Sequence, residues 1–294
     1  MRCGLWMLWS ASLAVCGCSS THGDGAAPSD GGLVVPPDAY PSTCMPGVDG
    51  GVCILGAQGH ITDLDGVPLG HVVMTFCGSA CFGATSDDAG VYYIPIGYVL
   101  DTQNYAVHAD GRPDHAVDYF RLHAGEPSIV NTTMHVPVLP QSQVRLPPDE
   151  AGAPSSVTEG DLTLVVAAGT SFNLDIEDYE KGDIGRTLRV VQVPLDKAPP
   201  YAAPAKLSAI YAIAPSGAKA SAKMGVTLRN SAGLPPSSAV DVLVLGDDYF
   251  SMPPNVGELA VQAAAHVSAD GMTIQTDPGE GIVELTWIGV RAKQ

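Results

Sequence analysis

From about residue 53 to the end of the chain, short runs of β-branched, aromatic and other apolar residues recur roughly every ten positions. Each run is closed by Gly, Asp, Asn or Pro. That rhythm is the signature of short antiparallel strands joined by turns, and it predicts β-sandwich architecture. In the first half the runs cover residues 60–62, 71–76, 82–86, 91–95, 105–108 and 128–138, with Asp63-Leu64-Asp65-Gly66 and Asp87-Asp88-Ala89-Gly90 as turns between them. In the second half they cover 162–166, 172–175, 188–195, 209–213, 225–228, 240–245, 259–266, 273–276 and 283–288. Residues 259–266 contain three alanines and suit a helix or a strand, and Asp270-Gly271 after them is a hairpin signal. Composition agrees, since 33 Gly and 24 Pro fill about a fifth of the 294 residues.

The expected fold is all-β, with two antiparallel β-sandwich domains in tandem at residues 51–140 and 158–294. Pro-rich residues 141–157 read as the linker between them. Residues 18–50 are rich in Ser, Gly, Pro and Asp and show no apolar period. Such a stretch buries too little surface to offset chain entropy, so it reads as a disordered acidic tether.

Residues 1–17 place a single cation, Arg2, before an apolar run from Leu5 to Cys16. The run is shorter than the ~20 residues a helix needs to span a bilayer, and it reads as the signal peptide of an exported chain. Val15-Cys16-Gly17-Cys18, followed by Ser19 and Ser20, resembles a bacterial lipoprotein box. The resemblance implies cleavage after Gly17 and lipid on Cys18, with plain secretion as the other reading; Cys16 departs from the usual pattern. Acyl groups contribute ~0.8 kcal/mol per buried CH₂, so several chains make a durable membrane anchor. Serines rather than aspartate after the lipidated cysteine imply the outer membrane.

Of seven cysteines, Cys44, Cys53, Cys77 and Cys81 remain beyond the signal and the lipid site. An even count in an exported chain reads as two disulfides, with three pairings open. Closeness in sequence favours Cys44–Cys53 and Cys77–Cys81, loops worth roughly 2–3 kcal/mol each in the chain-entropy model. A four-thiolate zinc site is disfavoured because paired CxxC spacing is missing.

Asp65-Gly66-x-Pro68-Leu69, then Thr85-x-Asp87-x-x-Gly90-x-Tyr92, then Tyr105-x-Val107, resembles the carboxypeptidase regulatory-like domain. That resemblance implies a transthyretin-like, seven-stranded sandwich over residues ~53–139. The 77–81 loop and the 99–103 segment depart from it. Residues ~158–290 are weakly similar to the β-sandwich module of ankyrins, netrin receptors and zonula occludens proteins. The similarity rests on 164–170, Ile213-Ala-Pro215-Ser-Gly217-Ala218, 225–228, 233–235, 267–273 and 285–287. In that family the module is a structural or interaction element.

Charge narrows the function. Lys and Arg number 14 against 31 Asp and Glu, a net charge of −17. A nucleic-acid binder needs a clustered basic surface, and docking on anionic lipid through basic residues is equally disfavoured. No HExxH, G-x-S-x-G or Walker sequence occurs, and the SxxK spelled by Ser216 and Lys219 follows Pro215 in a turn. His123-Ala-Gly-Glu126 matches the HxxE zinc pair of metallocarboxypeptidases, with His266 downstream, but His123 and His266 fall on different expected sandwiches. His71, His108, His115, His123 and His135 lack close ligand spacing. Asp63, Asp65, Asp87 and Asp88 read as turn formers, since position 12 of an EF-hand count from Asp63 is Met74.

Tyr92, Tyr93, Tyr98, Tyr105, Tyr119 and Phe120 read mainly as core aromatics, as does Trp287. Loops 98–103 and 249–252 are the candidate contact surfaces, with Tyr98, Tyr249, Phe250 and Met252 as ligand-binding candidates. The resulting expectation is a non-catalytic cell-envelope lipoprotein acting as a structural or interaction scaffold, without cofactor or metal. Its partners would be the membrane, through the lipid, and a protein or glycan at the surface, with no nucleic acid. The alternatives are a carbohydrate- or peptide-binding lipoprotein and a metal-dependent hydrolase built on His123 and Glu126.

Overall fold

The computed structural model describes residues 40–110, 114–175, 178, 180–246 and 257–293. The expected signal peptide, Cys18, most of the tether, and Tyr249, Phe250 and Met252 lie outside the described residues. The fold is all-β.

The N-terminal portion contains β1 (Val52–Thr62), β2 (Val73–Cys77), β3 (Cys81–Thr85), β4 (Val91–Leu100), β5 (Ala106–Asp110), β6 (Asp118–Arg121) and β7 (Ile129–His135). They form two sheets, β4-β1-β7 and β3-β2-β5-β6. Alternation selects the inner faces. In β7, Val130, Thr132 and Met134 point in while Asn131, Thr133 and His135 are exposed. Ile54, Ile61, Met74, Phe76, Tyr92, Ile94 and Leu122 are fully buried between the sheets. Each such side chain contributes roughly 1.5–3 kcal/mol relative to exposure. One pairing departs from the antiparallel expectation, because β7 lies parallel to β1. The chain crosses from β6 in one sheet to β7 in the other, and so returns along β1 in the same direction.

Turn chemistry explains the acidic pairs. Asp63 Oδ1 accepts the amides of Asp65 and Val67, and Asp87 Oδ1 accepts those of Ala89 and Val91. Gly90 sits at φ 73°, where a Cβ would collide with the Ile61 carbonyl oxygen. Residues 40–50, read from sequence as part of the disordered tether, are instead docked on this sandwich. Cys44 is bonded to Cys53, the Tyr40 hydroxyl donates to Gln58 Oε1 at 2.8 Å, and the Met45 and Val48 amides donate to Gly97 and Val99 carbonyls. The cross-link and these bonds supply the ordering that composition could not reveal. Cys77 is joined to Cys81 across the β2–β3 turn.

The C-terminal portion contains β8 (Ser155–Glu159), β9 (Leu162–Val166), β10 (Phe172–Asn173), β11 (Arg189–Val193), β12 (Ala209–Ala214), β13 (Ala218–Arg229), β14 (Ala239–Leu245), β15 (Leu259–Val267), β16 (Thr273–Thr276), β17 (Ile282–Leu285) and β18 (Ile288–Ala292). Among the described residues, a four-residue helix, α1 (Ala202–Ala205), lies between β11 and β12. The strand path is β11-β12-β18-β14-β15-β16-β13-β9-β8, with β10 and β17 also paired to β13. It wraps a core that includes Leu162, Leu164, Tyr211, Met224, Val240, Ile274 and Ile288. Residues 259–267 are strand, paired to β14 and β16, and the Asp270-Gly271 hairpin joins β15 to β16. The Pro-rich 141–157 stretch is part of this body: Leu146 and Val157 are buried in its core and β8 begins at Ser155.

The described residues of both portions belong to one compact unit. A third apolar cluster joins them, packing Ala116, Tyr119 and Leu139 against Val193, Ala202, Ile210, Leu245 and Trp287. Trp287 is 1% exposed and its Nε1 donates to the Val117 carbonyl at 2.7 Å.

Candidate binding cleft

Where the two β portions meet, a cleft of about 370 Å³ opens between β6, α1, the start of β15 and β18. Tyr119, Phe120, Arg121 and His123 form one side, and Pro200, Tyr201, Pro204, Ala205, Gly257, Glu258, Leu259 and Arg291 form the rest. The mixture is a largely apolar, aromatic lining with a few charged groups, the usual make-up of a small-molecule site.

Each wall has a local cause. β6 is an edge strand in which Asp118 and Tyr119 are buried while Phe120 and Arg121 are half-buried. α1 is a single turn whose Ala202 and Ala205 are buried. Gly246 exchanges backbone hydrogen bonds with Gly257 and Glu258, which fixes the lip from which β15 departs. Arg121 Nη1 meets Glu258 Oε2 at 2.7 Å, an ion pair linking β6 to the C-terminal portion. Arg291 is held by Asp241 Oδ2 at 3.2 Å and by the Ala205 carbonyl at 3.3 Å.

Beneath the cleft lies a buried polar latch. Asp118 is 2% exposed, and the Tyr201 hydroxyl donates to its Oδ1 at 3.0 Å. Burial disfavours the charged carboxylate and raises Asp118 to about 7, partly opposed by the bonds from the Tyr119 backbone and Tyr201. Burial, and then the neighbouring Asp118, push the Tyr201 phenol well above its ordinary value. The Tyr201 ring stands edge-on to Trp287, with centroids 6.1 Å apart. The rim of the cleft is therefore tied to the floor by contacts that cross the junction.

The sequence-derived candidates fall in several places. Tyr98 lies on β4, half-buried against Phe82 with centroids 5.5 Å apart, and does not line the cleft. Tyr249, Phe250 and Met252 are outside the described residues. His123 lines the cleft, but Glu126 is occupied locally, since its Oε1 accepts the His123 backbone amide at 2.9 Å and closes the turn. His266 lies on β15 and pairs with Asp277 at 2.7 Å. Among the described residues no group of three or more His, Cys, Asp or Glu is arranged to hold a metal ion. Tyr119 and Phe120 were within the aromatic set noted in sequence. Arg121, Tyr201, Glu258 and Arg291 were not singled out, and no local signal marks them, because they converge from segments up to about 170 residues apart.

No protein-family model matches the chain, and no curated protein matches it in sequence. Among solved structures, a proposed carbohydrate binding protein from Bacteroides uniformis is similar over 81% of this chain and 98% of its own, at 9% identity and a TM-score of 0.23. At that distance the likeness bears on neither function nor the details of the fold.

Proposed function

We propose that this chain is a non-catalytic recognition protein of the bacterial cell envelope, anchored by lipid on Cys18, whose junction cleft binds a saccharide. The observation that carries the reading is the cleft itself, with Tyr119, Phe120 and Tyr201 beside the Arg121–Glu258 pair. A sugar ring offers an apolar C–H face to aromatic and proline surfaces, and hydroxyls that donate to a carboxylate and accept from a guanidinium. The regulatory-like resemblance of the first portion and the interaction-module resemblance of the second fit a protein that presents a surface. The use of Glu126 to cap its own turn favours recognition over hydrolysis at His123.

The test is calorimetric titration of the intact chain with cello-, malto- and chito-oligosaccharides, alongside Phe120→Ala and Glu258→Gln. Saturable binding to one series, weakened roughly tenfold or more in both variants, is expected, matching the loss of one stacking or charged contact. No binding to any series, or binding that both variants leave unchanged, refutes the assignment. A purely structural scaffold is the reading that would then stand.

A further inference from the structure

The two guanidinium groups that line the junction cleft are each matched to a carboxylate. On one wall Arg121 Nη1 meets Glu258 Oε2 at 2.7 Å. On another, Arg291 of β18 stands directly across the ladder from Asp241 of β14, and its Nε donates to Asp241 Oδ2 at 3.2 Å. Arg291 has a second duty. Its Nη1 donates to the Ala205 carbonyl at 3.3 Å, one of the carbonyls that a helix end leaves without an intrahelical partner. α1 is thereby pinned at its end to β18, and at its start to β6 through the Tyr201 hydroxyl and Asp118 Oδ1. Both arginines therefore enter the cleft with their charge already engaged.

That pairing bears on which ligands the cleft accepts. A ligand carboxylate that approaches Arg121 meets Glu258 as well, and it must displace that partner or lose its water next to a like charge. The same cost arises at Arg291, where Asp241 holds the guanidinium. The field of the whole protein acts in the same direction, since a net charge of −17 depletes anions near its surface. A hydroxyl faces neither cost. It can accept from a guanidinium and donate to a carboxylate oxygen while the ion pair stays intact.

We propose that the junction cleft selects an uncharged saccharide over an acidic one, and that Glu258 sets this preference; the inference rests on the saccharide reading above. Glu258 acts in two ways. It occupies Arg121, and it presents a carboxylate that attracts ligand hydroxyls and repels ligand acids.

The intact chain is titrated by calorimetry with cello-, malto- and chito-oligosaccharides and with the same oligosaccharides oxidised at C6 to uronates, at low and at high ionic strength. One neutral series is expected to bind roughly tenfold or more tightly than its uronate, and the gap should narrow as salt screens the repulsion. In Glu258→Gln the neutral ligand weakens while the uronate gains, so the ratio of uronate to neutral affinity should rise roughly tenfold or more. Uronate affinity equal to or above that of the neutral series in the wild type overturns the inference and leaves the saccharide reading standing. A ratio that Glu258→Gln leaves unchanged does the same. Binding of neither series removes both.

Discussion

Asp118→Asn isolates the buried carboxyl of the junction. Folding moves that group from 3.8 to about 7, with burial as the largest cause. A gap of about 3 units corresponds to roughly 4 kcal/mol at about 1.36 kcal/mol per unit. The sign follows from which state holds the proton. Between pH 3.8 and about 7 the unfolded chain has released it while the folded chain keeps it. Stability from this group is therefore complete below pH 3.8 and is lost as the pH rises through about 7. Asparagine keeps the shape and titrates no proton. The stability difference, wild type minus variant, should fall by about 4 kcal/mol between about pH 4 and about pH 8, read from guanidinium melts. Taking that difference cancels the histidines and other carboxylates common to both chains, provided they do not couple to residue 118. Tyr201→Phe removes a bond that lowers Asp118, so its loss of stability should extend to higher pH than in the wild type. A difference that stays flat across the range would show that Asp118 is solvated, and the account of the junction would fail.

Trp287→Phe should cost about 1–3 kcal/mol, because the half-buried Val117 carbonyl loses its donor from the buried Nε1. Denaturant melts check this, and an unchanged midpoint would remove Trp287 as a tie between the two portions. Replacing both Cys44 and Cys53 by serine should lower stability by roughly 2–3 kcal/mol, the loop-closure contribution of a short cross-link. The same change should admit protease near residues 40–50, and resistance equal to the wild type would show that Tyr40 and the backbone bonds hold that segment unaided.

The strand pattern was legible because alternation and turn residues act over a few positions. Val130, Thr132 and Met134 declare the inner face of β7, and Asp63 and Asp87 close their own turns through bonds to amides two and four residues ahead. The same locality made Cys44–Cys53 and Cys77–Cys81 the favoured pairs. It failed where a single short-range pattern served two outcomes. His123-Ala-Gly-Glu126 spells a ligand pair, yet its carboxylate closes a turn, and the composition of residues 40–50 says tether while a disulfide docks them. The parallel β1–β7 pair was likewise invisible, since direction depends on which sheet the chain has crossed to.

Residue order alone determined that this chain is all-β and where many of its strands and turns fall. Tertiary structure alone decided that the two halves share an apolar cluster and that Asp118 and Tyr201 meet, 83 positions apart in sequence. It also decided that Arg121 and Glu258 face each other across a cleft. The division has a physical basis. Alternation, turn closure and solvation are properties of neighbouring residues, whereas a cleft and the desolvation that shifts its acids exist only once distant segments have excluded water between them.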